Sequence, residues 1–354
     1  MSRYEIIVSQ ASWEQKLEVY RKEVFTKRSA GKYLQDRLSA TGLAELNSID
    51  FLQLLLNTKR PQIFAESAIA GDGSDWNQME LSILGDVSIA TPVMIFDNGR
   101  HQNPEVHANP FSGTLLFTPG ALLRNGRGVD PCDLADVTRG GELDPVGYFN
   151  LYERRLLPPL LYANKVCQQT GKKGFITIPG MGCGAFAGRF QGQLNELLNQ
   201  TLKAILQKHV GKMGHIRAVY YDPYSKCENE RYEIDGLSYL VRPLLNGNEH
   251  KSQLCYPAIF EEAGDDFSGC EFFSFVAWDH VSWPGNDFYI GSRATDDGVK
   301  AAATDVTRVM TGVAGEYSAN QFKYEPPTSY RNWDHVIRRH NLEISANAQN
   351  VQLF

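Results

Sequence analysis

The sequence lacks any run of about 18 apolar residues, the length that a membrane-spanning helix needs, and its start, MSRYEIIVSQ, has no signal-peptide core. We therefore expect a cytoplasmic protein without membrane contact, and secretion by a route without a cleaved signal stays open. Internal repeats and low-complexity segments are also missing. The 354 residues are 42% hydrophobic, which is enough for a large core in one large domain or two smaller ones.

Cysteine is sparse and scattered. The six cysteines contain no Cys-x-x-Cys pair, which argues against a disulfide framework and a zinc site and predicts free thiols in a reducing compartment. The net charge is only −6, so a broad nucleic-acid-binding surface is not expected. A small anionic ligand is compatible with this composition where basic or amide groups converge locally. Nothing in the sequence predicts more than a monomer.

Predicted strands and helices alternate over residues 81–312, which indicates an α/β sandwich with a mixed, mostly parallel sheet. Residues 12–56 have apolar positions at helical spacing and predict an N-terminal helical layer. The segment Leu81 to Phe96 predicts two strands that are separated at Gly85-Asp86, and the chain ends in a polar tail for which we expect disorder. The predicted division is a helical region at 1–58, a main domain at 59–315 and a C-terminal extension at 316–354.

The most informative glycines follow a predicted strand over 175–178. Four of them fall between residues 180 and 188, and an amphipathic helix is predicted over 191–207. A strand, a glycine-rich loop and a helix in this order can hold a diphosphate with backbone N–H groups and a helix N-terminus. No Gly-Lys-Ser/Thr follows, and the spacing does not match the dinucleotide fingerprint. A tight structural turn is the alternative.

A second glycine-rich loop, over 118–128, follows a buried strand predicted at Gly113 to Phe117. Backbone at Gly120 could approach a ligand closely, and Arg124 and Arg127 could meet a phosphate. A solvated turn with surface arginines explains the same residues.

Acidic side chains concentrate among the aromatic residues of the segment 277–299: they are Asp279, Asp287, Asp296 and Asp297. The segment follows a buried strand, folds at a Pro-Gly-Asn turn and continues into a predicted helix, so the acids gather where α/β folds carry their chemistry. Carboxylates among aromatic side chains tend to have shifted pKa values and to act as acids and bases. In the structural alternative, Asp296 caps the helix, Asp287 makes an Asx turn and Asp279 pairs with a lysine or arginine.

The loop IPGMGCGAFAGRF resembles the macrodomain signature, in which such a loop wraps the diphosphate of ADP-ribose; the matching residues are Pro179, Gly180, Gly182, Gly184 and Phe186. The resemblance implies a three-layer α/β macrodomain sandwich with an N-terminal helical extension. It places Gly120 in a ribose-contacting loop, Asp86 at the adenine and Phe186 near the distal ribose. The residues predicted to bind ADP-ribose are Gly180, Gly182, Cys183, Gly184, Phe186, Asn286, Asp86 and Gly120.

Asp279, Asp287 and Asp297, in their GNDF and GSRATDDG contexts, are similar to the three-aspartate site of the MavL family of macrodomain effectors, which are related to poly(ADP-ribose) glycohydrolase. This resemblance implies a hydrolase that removes mono-ADP-ribose from a modified protein, with ADP-ribosylated arginine of ubiquitin as the expected substrate, and an effector that acts inside a host cell. The GGG and QEE elements of polymer-cleaving glycohydrolases are missing, which argues against polymer cleavage.

Cleavage at the anomeric carbon of the distal ribose builds oxocarbenium character, which one carboxylate can stabilise while another activates water. We expect Asp287 or Asp297 to activate the water and Asp279 to orient the substrate or leaving group. No metal or cofactor is expected, although paired aspartates leave Mg²⁺ open. The alternatives are a macrodomain that binds ADP-ribose without cleaving it, a metal-dependent hydrolase, and an interaction protein with a degenerate pocket.

Overall fold

A computed structural model describes residues 4–27, 30–41 and 46–354 of the chain. Its strands are β1 (Glu5–Val8), β2 (Val87–Asp97), β3 (Val106–Pro119), β4 (Thr138–Arg139), β5 (Glu142–Leu143), β6 (Gly174–Pro179), β7 (Ile216–Asp222), β8 (Glu230–Ile234), β9 (Leu237–Val241), β10 (Glu271–Trp278), β11 (Glu316–Ser318), β12 (Lys323–Glu325) and β13 (Val351–Leu353). Its α-helices are α1 (Gln10–Ser12), α2 (Glu18–Lys27), α3 (Lys32–Thr41), α4 (Ser48–Leu56), α5 (Ala65–Ala68), α6 (Gln78–Gly85), α7 (Leu134–Val137), α8 (Pro145–Thr170), α9 (Leu194–His209), α10 (Asp296–Ala302), α11 (Val306–Thr311) and α12 (Trp333–His340).

Nine of the strands in these ranges form one mixed sheet with the order β13-β1-β2-β3-β10-β6-β7-β9-β8. In the middle of the sheet, the neighbouring strands β3, β10, β6, β7 and β9 run parallel to one another. Strand β8 pairs antiparallel with β9, and β2 pairs antiparallel with both β1 and β3. The loops that follow β3, β10, β6 and β7 therefore open at one edge of the sheet. This architecture confirms the predicted α/β class and mostly parallel sheet.

Apolar side chains cover both faces of the sheet. In β3, Leu115 and Phe117 belong to one hydrophobic cluster and Leu116 belongs to the other. In β6, Phe175 and Ile176 divide in the same way. Because successive side chains of a strand point to opposite faces, these clusters are two cores on the two sides of the sheet. Helices α4, α6 and α10 supply the first core and α8 and α9 the second, which confirms the predicted three layers.

The prediction of two strands between Leu81 and Phe96 is wrong for its first half, which is the end of helix α6. The helix begins with a capping box, in which the Asn77 side chain accepts from the Glu80 N–H and the Glu80 side chain accepts from the Asn77 N–H. A capping box satisfies N–H groups that have no partner inside a helix, so it favours helix over strand here. The second predicted strand is the start of β2.

The polar tail at the end of the chain, for which we expected disorder, contains strand β13, which pairs in parallel with β1 and extends the sheet. Its partner lies at the other end of the sequence, where no local pattern could indicate the pairing. The division at residues 58 and 315 stays a prediction. No α-helix in the described part of the chain has both the length and the apolar character for a bilayer crossing.

Candidate functional site

A cleft of about 890 Å³ opens at the edge where β6, β7 and β10 end. The glycine-rich loop after β6 forms one wall, and residues that follow β7 and β10 form others. Among its lining residues are Gly180, Gly184, Asp222, Gln253, Asp296 and Lys300. The position agrees with the general location of ligand sites in α/β folds.

The two glycine-rich loops pack against each other beside this cleft. A Cβ atom on Gly120 would lie 2.5 Å from the Gly182 nitrogen, and one on Gly182, whose φ is +69°, would lie 2.7 Å from the Tyr152 hydroxyl. The Tyr152 hydroxyl donates to the Met181 carbonyl at 2.6 Å and accepts from the Ala121 N–H at 3.1 Å. Gly120 and Gly182 are therefore required for the close contact of the loops.

Gly180, Cys183 and Gly184 lie on the cleft side of the same loop. Apart from Gly184 and its two chain neighbours, no described residue has an atom within 4 Å of the position that a Cβ on Gly184 would take, so the backbone faces open space there. Phe186 lies farther along, in a 3₁₀ turn, with its ring centroid 6.3 Å from that of His280. One side of the loop thus packs against the first glycine-rich loop, and the other side lines the cleft. The predicted contact of this loop with a diphosphate stays a prediction.

Three buried carboxylates, Asp279, Asp287 and Asp297, form what we call the aspartate cluster. They are 4%, 1% and 2% exposed, respectively. Asp279 follows β10, Asp287 lies in the 3₁₀ turn Asn286–Ile290, and Asp297 lies in the first turn of α10. Among the described residues, the lining of the cleft includes Asp296, the chain neighbour of Asp297, but none of these three carboxylates.

Asp279 shapes the loop that follows β10. Its Oδ1 accepts from the Val281 N–H at 2.7 Å and the Ser282 N–H at 2.6 Å, and its Oδ2 accepts from Asn286 Nδ2 at 3.0 Å. Asn286 was predicted to contact ADP-ribose, and it lies in this loop with its side chain bonded to Asp279. No ion pair to Asp279 is present among the described residues, contrary to the structural alternative.

Asp287 holds the start of α10. Its Oδ2 accepts from the Ala294 N–H at 2.9 Å and its Oδ1 accepts from the Thr295 hydroxyl at 2.5 Å. Gly298 makes this approach possible, because a Cβ there would lie 2.0 Å from Asp287 Oδ1. The helix cap is Thr295, whose side chain accepts from the Gly298 N–H, and not Asp296 as in the structural alternative.

Asp297 has one oxygen that is bonded and one that is not. Its Oδ1 accepts from the Gly285 N–H at 2.7 Å, whereas its Oδ2 has no hydrogen-bond partner among the described residues. Burial raises the pKa of Asp297 well above its usual value, and Asp279 and Asp287 raise it further. Burial also raises the pKa of Asp279, to about 6, although nearby Lys59 opposes the shift.

Unpartnered polar atoms are concentrated around this cluster. Besides Asp297 Oδ2, the buried atoms Trp278 Nε1, His280 Nδ1 and Ser282 Oγ lack a hydrogen-bond partner in the described ranges. Buried polar groups are normally hydrogen-bonded, because an unsatisfied one costs about 1–3 kcal/mol. This part of the molecule therefore has hydrogen-bonding capacity that the protein itself does not use.

Asp86, predicted to contact adenine, belongs to a buried network that we call the arginine cluster: Asp86, Asp133, Arg154 and Arg155. Asp86 accepts from Lys16 at 2.6 Å, Arg154 at 2.7 Å and Arg155 at 3.3 Å. Burial would raise its pKa, but these cations hold it below the usual value. Asp86 Oδ1 accepts from Arg155 at 3.3 Å, the other two cations contact Oδ2, and the predicted contact of Asp86 with adenine stays a prediction.

Arg155 joins this network to the first glycine-rich loop. It donates to both oxygens of Asp133 at 2.9 and 2.7 Å and to the Gly120 carbonyl at 3.0 Å. Asp133 in turn accepts from the Leu122 N–H at 2.8 Å and contacts His280 Nε2 at 3.1 Å. Gly120 is thus fixed from inside the protein.

Three residues that could ligate a metal, Cys132, Asp133 and His280, have ligand atoms within 4.8 Å of one another. Both oxygens of Asp133 already accept from Arg155. A cation would have to displace this guanidinium, so the group does not fit a metal ion.

Sequence reasoning missed two lysines at the site. Lys300 is 1% exposed, lines the cleft and contacts Asp296 at 3.2 Å. Its position one helical turn after Asp296 was a usable signal. Lys59, which is 5% exposed, lies beside the aspartate cluster, and it carried no signal because it is more than two hundred residues away in the sequence.

Comparison with known proteins adds one match. The family described as macrodomain effector MavL matches residues 4–330. A search of curated proteins finds no match.

Proposed function

Because the chain belongs to the family of macrodomain effectors named after MavL, we propose that it is an ADP-ribosylhydrolase that removes a single ADP-ribose from a protein side chain. Family membership by itself indicates a macrodomain function that involves ADP-ribose. The observation that carries the finer proposal is the aspartate cluster, with its unpartnered polar atoms, which adjoins the cleft-lining residue Asp296 in the chain.

In this proposal the cleft holds ADP-ribose. The backbone at Gly180, Cys183 and Gly184 supports the diphosphate, since it lines the cleft and leaves room for close approach. Lys300, Arg100 and Lys226 also line the cleft and provide positive charge for the anion. The volume of the cleft, about 890 Å³, is in the range of small-molecule sites.

The distal ribose then reaches the aspartate cluster. Asp279, whose pKa is raised to about 6, is ionised near neutral pH and takes a proton from the attacking water. Asp297 directs its unpartnered Oδ2 towards a ribose hydroxyl or the leaving group. Asp287 has a positioning role in this proposal, because it holds the start of α10, which carries Asp297. Asp279 also accepts hydrogen bonds at both oxygens, and its raised pKa is what favours it as the base.

For ADP-ribose that is linked to arginine, the bonds that break and form in the proposed hydrolysis are as follows. The C–N bond breaks with its electron pair on the guanidine nitrogen, and the water oxygen bonds to the anomeric carbon. The proton that Asp279 removes from water passes to the released guanidine, which leaves as guanidinium. Asp296, on the cleft wall, suits a cationic leaving group. We propose arginine-modified ubiquitin as substrate and a host cell as the place of action, in accord with the effector family.

The test compares the wild type with Asp279→Asn and Asp297→Asn, with Asp235→Asn, an exposed position, as the matched control. We expect all four proteins to bind ADP-ribose in a calorimetric titration. The wild type and the control should release ADP-ribose from arginine-modified ubiquitin, and the two site variants should be slower by about 10²- to 10⁴-fold. Equal rates in all four would refute the catalytic assignment.

A second candidate function is an ADP-ribose reader that does not cleave. This function is favoured because the three aspartates are buried and are not among the described residues that line the cleft, so a bound ligand could occupy the cleft without touching them. Binding of ADP-ribose by the wild type, with no release from arginine-, glutamate- or serine-linked substrates, would establish this function. Activity that is lost in chelator would instead indicate a metal-dependent hydrolase.

A further inference from the structure

The segment from Lys59 to Ile63, which follows α4, is attached along the loop of the aspartate cluster. The Arg60 N–H donates to the Val281 carbonyl, and the Arg60 carbonyl accepts from the Trp283 N–H, each at 2.8 Å. The Ile63 N–H donates to Asn286 Oδ1 at 3.0 Å. Since Asn286 also donates to Asp279, the segment fixes both the backbone of the loop and a direct neighbour of its first aspartate.

The Lys59 ammonium lies inside this loop and is buried. Its Nζ donates to the His280 carbonyl at 2.6 Å and lies 3.9 Å from the centre of the Trp278 ring. No carboxylate in the described ranges is within the 4.0 Å ion-pair distance of Lys59. Asp279 and Asp297 are nevertheless its main electrostatic neighbours.

This arrangement differs from an ordinary buried ion pair. In an ion pair the ammonium would occupy the oxygens of its partner, and neither group would be free for chemistry. Here a carbonyl and an aromatic face hold the ammonium, so its charge acts on the carboxylates without occupying their oxygens. The oxygens of Asp279 accept instead from the Val281 and Ser282 N–H groups and from Asn286. The unpartnered Oδ2 of Asp297 is consistent with that division of roles.

We infer that Lys59 is a positioning residue of the hydrolytic site: its ammonium fixes the loop after β10 and places a positive charge beside Asp279 and Asp297. The inference rests on the proposed function. It gives the N-terminal helical region a role in the chemistry, because α4 leads directly into this lysine.

The charged and titratable groups that face Lys59 are Asp279 and His280 from the loop after β10 and Asp297 from α10. Burial lowers the pKa of Lys59 to about 7, while the two aspartates oppose the shift. His280 is a weaker neighbour for charge, since burial lowers its pKa. Removal of the ammonium should therefore act mainly on Asp279, whose pKa it holds down.

The experiment measures hydrolysis of arginine-modified ubiquitin between pH 5 and 9 for the wild type, Lys59→Met, Lys59→Gln and Lys59→Arg. Lys173→Met is the matched control, because this exposed lysine also donates to a carbonyl, that of Gly214, but at the opposite edge of the sheet. Gln keeps a donor for the His280 carbonyl without the charge, and Arg keeps the charge.

We expect the acid limb of kcat to move up by about one pH unit in Lys59→Met and Lys59→Gln, because an opposite charge at this range lowers a carboxyl pKa by about that amount or more. The rate at pH 6 should fall about 5-fold, because a one-unit rise of the Asp279 pKa lowers its ionised fraction at that pH by about this factor, while the Kd for ADP-ribose changes by less than about 2-fold. Lys59→Arg should restore the limb. The inference would be overturned if the acid limb of kcat in folded Lys59→Gln stayed where it is in the wild type. It would also be overturned if Lys59→Arg lost as much rate at pH 6 as Lys59→Gln.

A second measurement separates this inference from the proposed function. The Asp279 carboxyl carbon is titrated by NMR, with Asp279→Asn used for assignment, in the wild type and in Lys59→Gln. A higher midpoint in Lys59→Gln supports the inference even where neither protein hydrolyses the substrate, and in that case only the proposed function fails. Equal midpoints overturn the inference, whatever the activity.

Discussion

Two groups of buried charges lie at the same edge of the sheet, and they are built in opposite ways. In the arginine cluster, Arg155 donates to Asp86, to Asp133 and to the Gly120 carbonyl. In the aspartate cluster, Asp297 keeps an oxygen without a partner, and no cation is bonded to Asp279 in the described ranges. His280 lies between the two clusters: its ring contacts Asp133 of the arginine cluster, and its carbonyl accepts from Lys59 beside the aspartate cluster.

The difference shows what each cluster is for. A satisfied network of buried charges specifies the positions of the elements that it joins, here α8 and the first glycine-rich loop. A buried carboxyl without partners costs free energy of folding and is kept where its reactivity is useful. The first cluster therefore holds the first glycine-rich loop in place, and the second is the place where we expect chemistry.

The largest effect is expected for Arg155→Met. The variant leaves Asp86 and Asp133 buried without their shared partner, which should lower the free energy of unfolding by about 3–5 kcal/mol. Denaturation in urea measures it, with the exposed Arg331→Met as control. A loss below about 1 kcal/mol would mean that the arginine cluster is not what holds the loops.

The pH dependence of stability should have opposite signs in the two clusters. Asp279 has a raised pKa, about 6 against an ordinary 3.8, so the folded state binds its proton more tightly. Relative to Asp279→Asn, the wild type should lose stability as the pH rises from about 4 to about 6. Asp86 and Asp133 have lowered pKa values, so their contribution should be lost as the pH falls below about 4.

Thermal or urea unfolding of the wild type, Asp279→Asn and Asp86→Asn between pH 3 and 8 gives the two difference curves. Parallel curves for the two variants would remove the distinction between the clusters.

Asp287→Asn is expected to destabilise the protein by about 1–3 kcal/mol, because both carboxylate oxygens accept hydrogen bonds and an amide nitrogen cannot accept. Hydrolysis per folded molecule should persist, since this residue positions α10. Urea denaturation and a rate normalised to the folded fraction measure the two quantities. A fully inactive but equally stable variant would return Asp287 to the catalytic role that the sequence predicted.

The smallest effect on stability is expected for Asp297→Asn, and its sign is reversed. The amide keeps the oxygen that accepts from Gly285 and removes a carboxyl whose raised pKa reflects an unfavourable site for charge. We expect unfolding free energy to stay equal or to rise by up to about 1 kcal/mol at pH 8. A loss of more than that amount would show that Asp297 is a structural residue like Asp287.

Much of the fold and of the site was predictable from local sequence. The alternation of strands and helices indicated the α/β class, and the glycine pattern after 175–178 located a loop that lines the cleft. The spacing of Asp279, Asp287 and Asp297 around a Pro-Gly-Asn turn indicated that they would gather, and they do. These features depend on residues that are close in the sequence.

What the sequence alone could not decide depends on contacts between distant segments. The local motif around Asp86 gave no sign that Lys16, Arg154 and Arg155 donate to its carboxylate. Likewise, β13 becomes a strand because β1 is beside it, and Lys59 becomes part of the site because α4 ends against the loop after β10. Composition and spacing therefore determined the class of fold and the kinds of reactive group. Only the tertiary structure decided which of those groups are satisfied, since partners from distant segments set burial and hydrogen bonding.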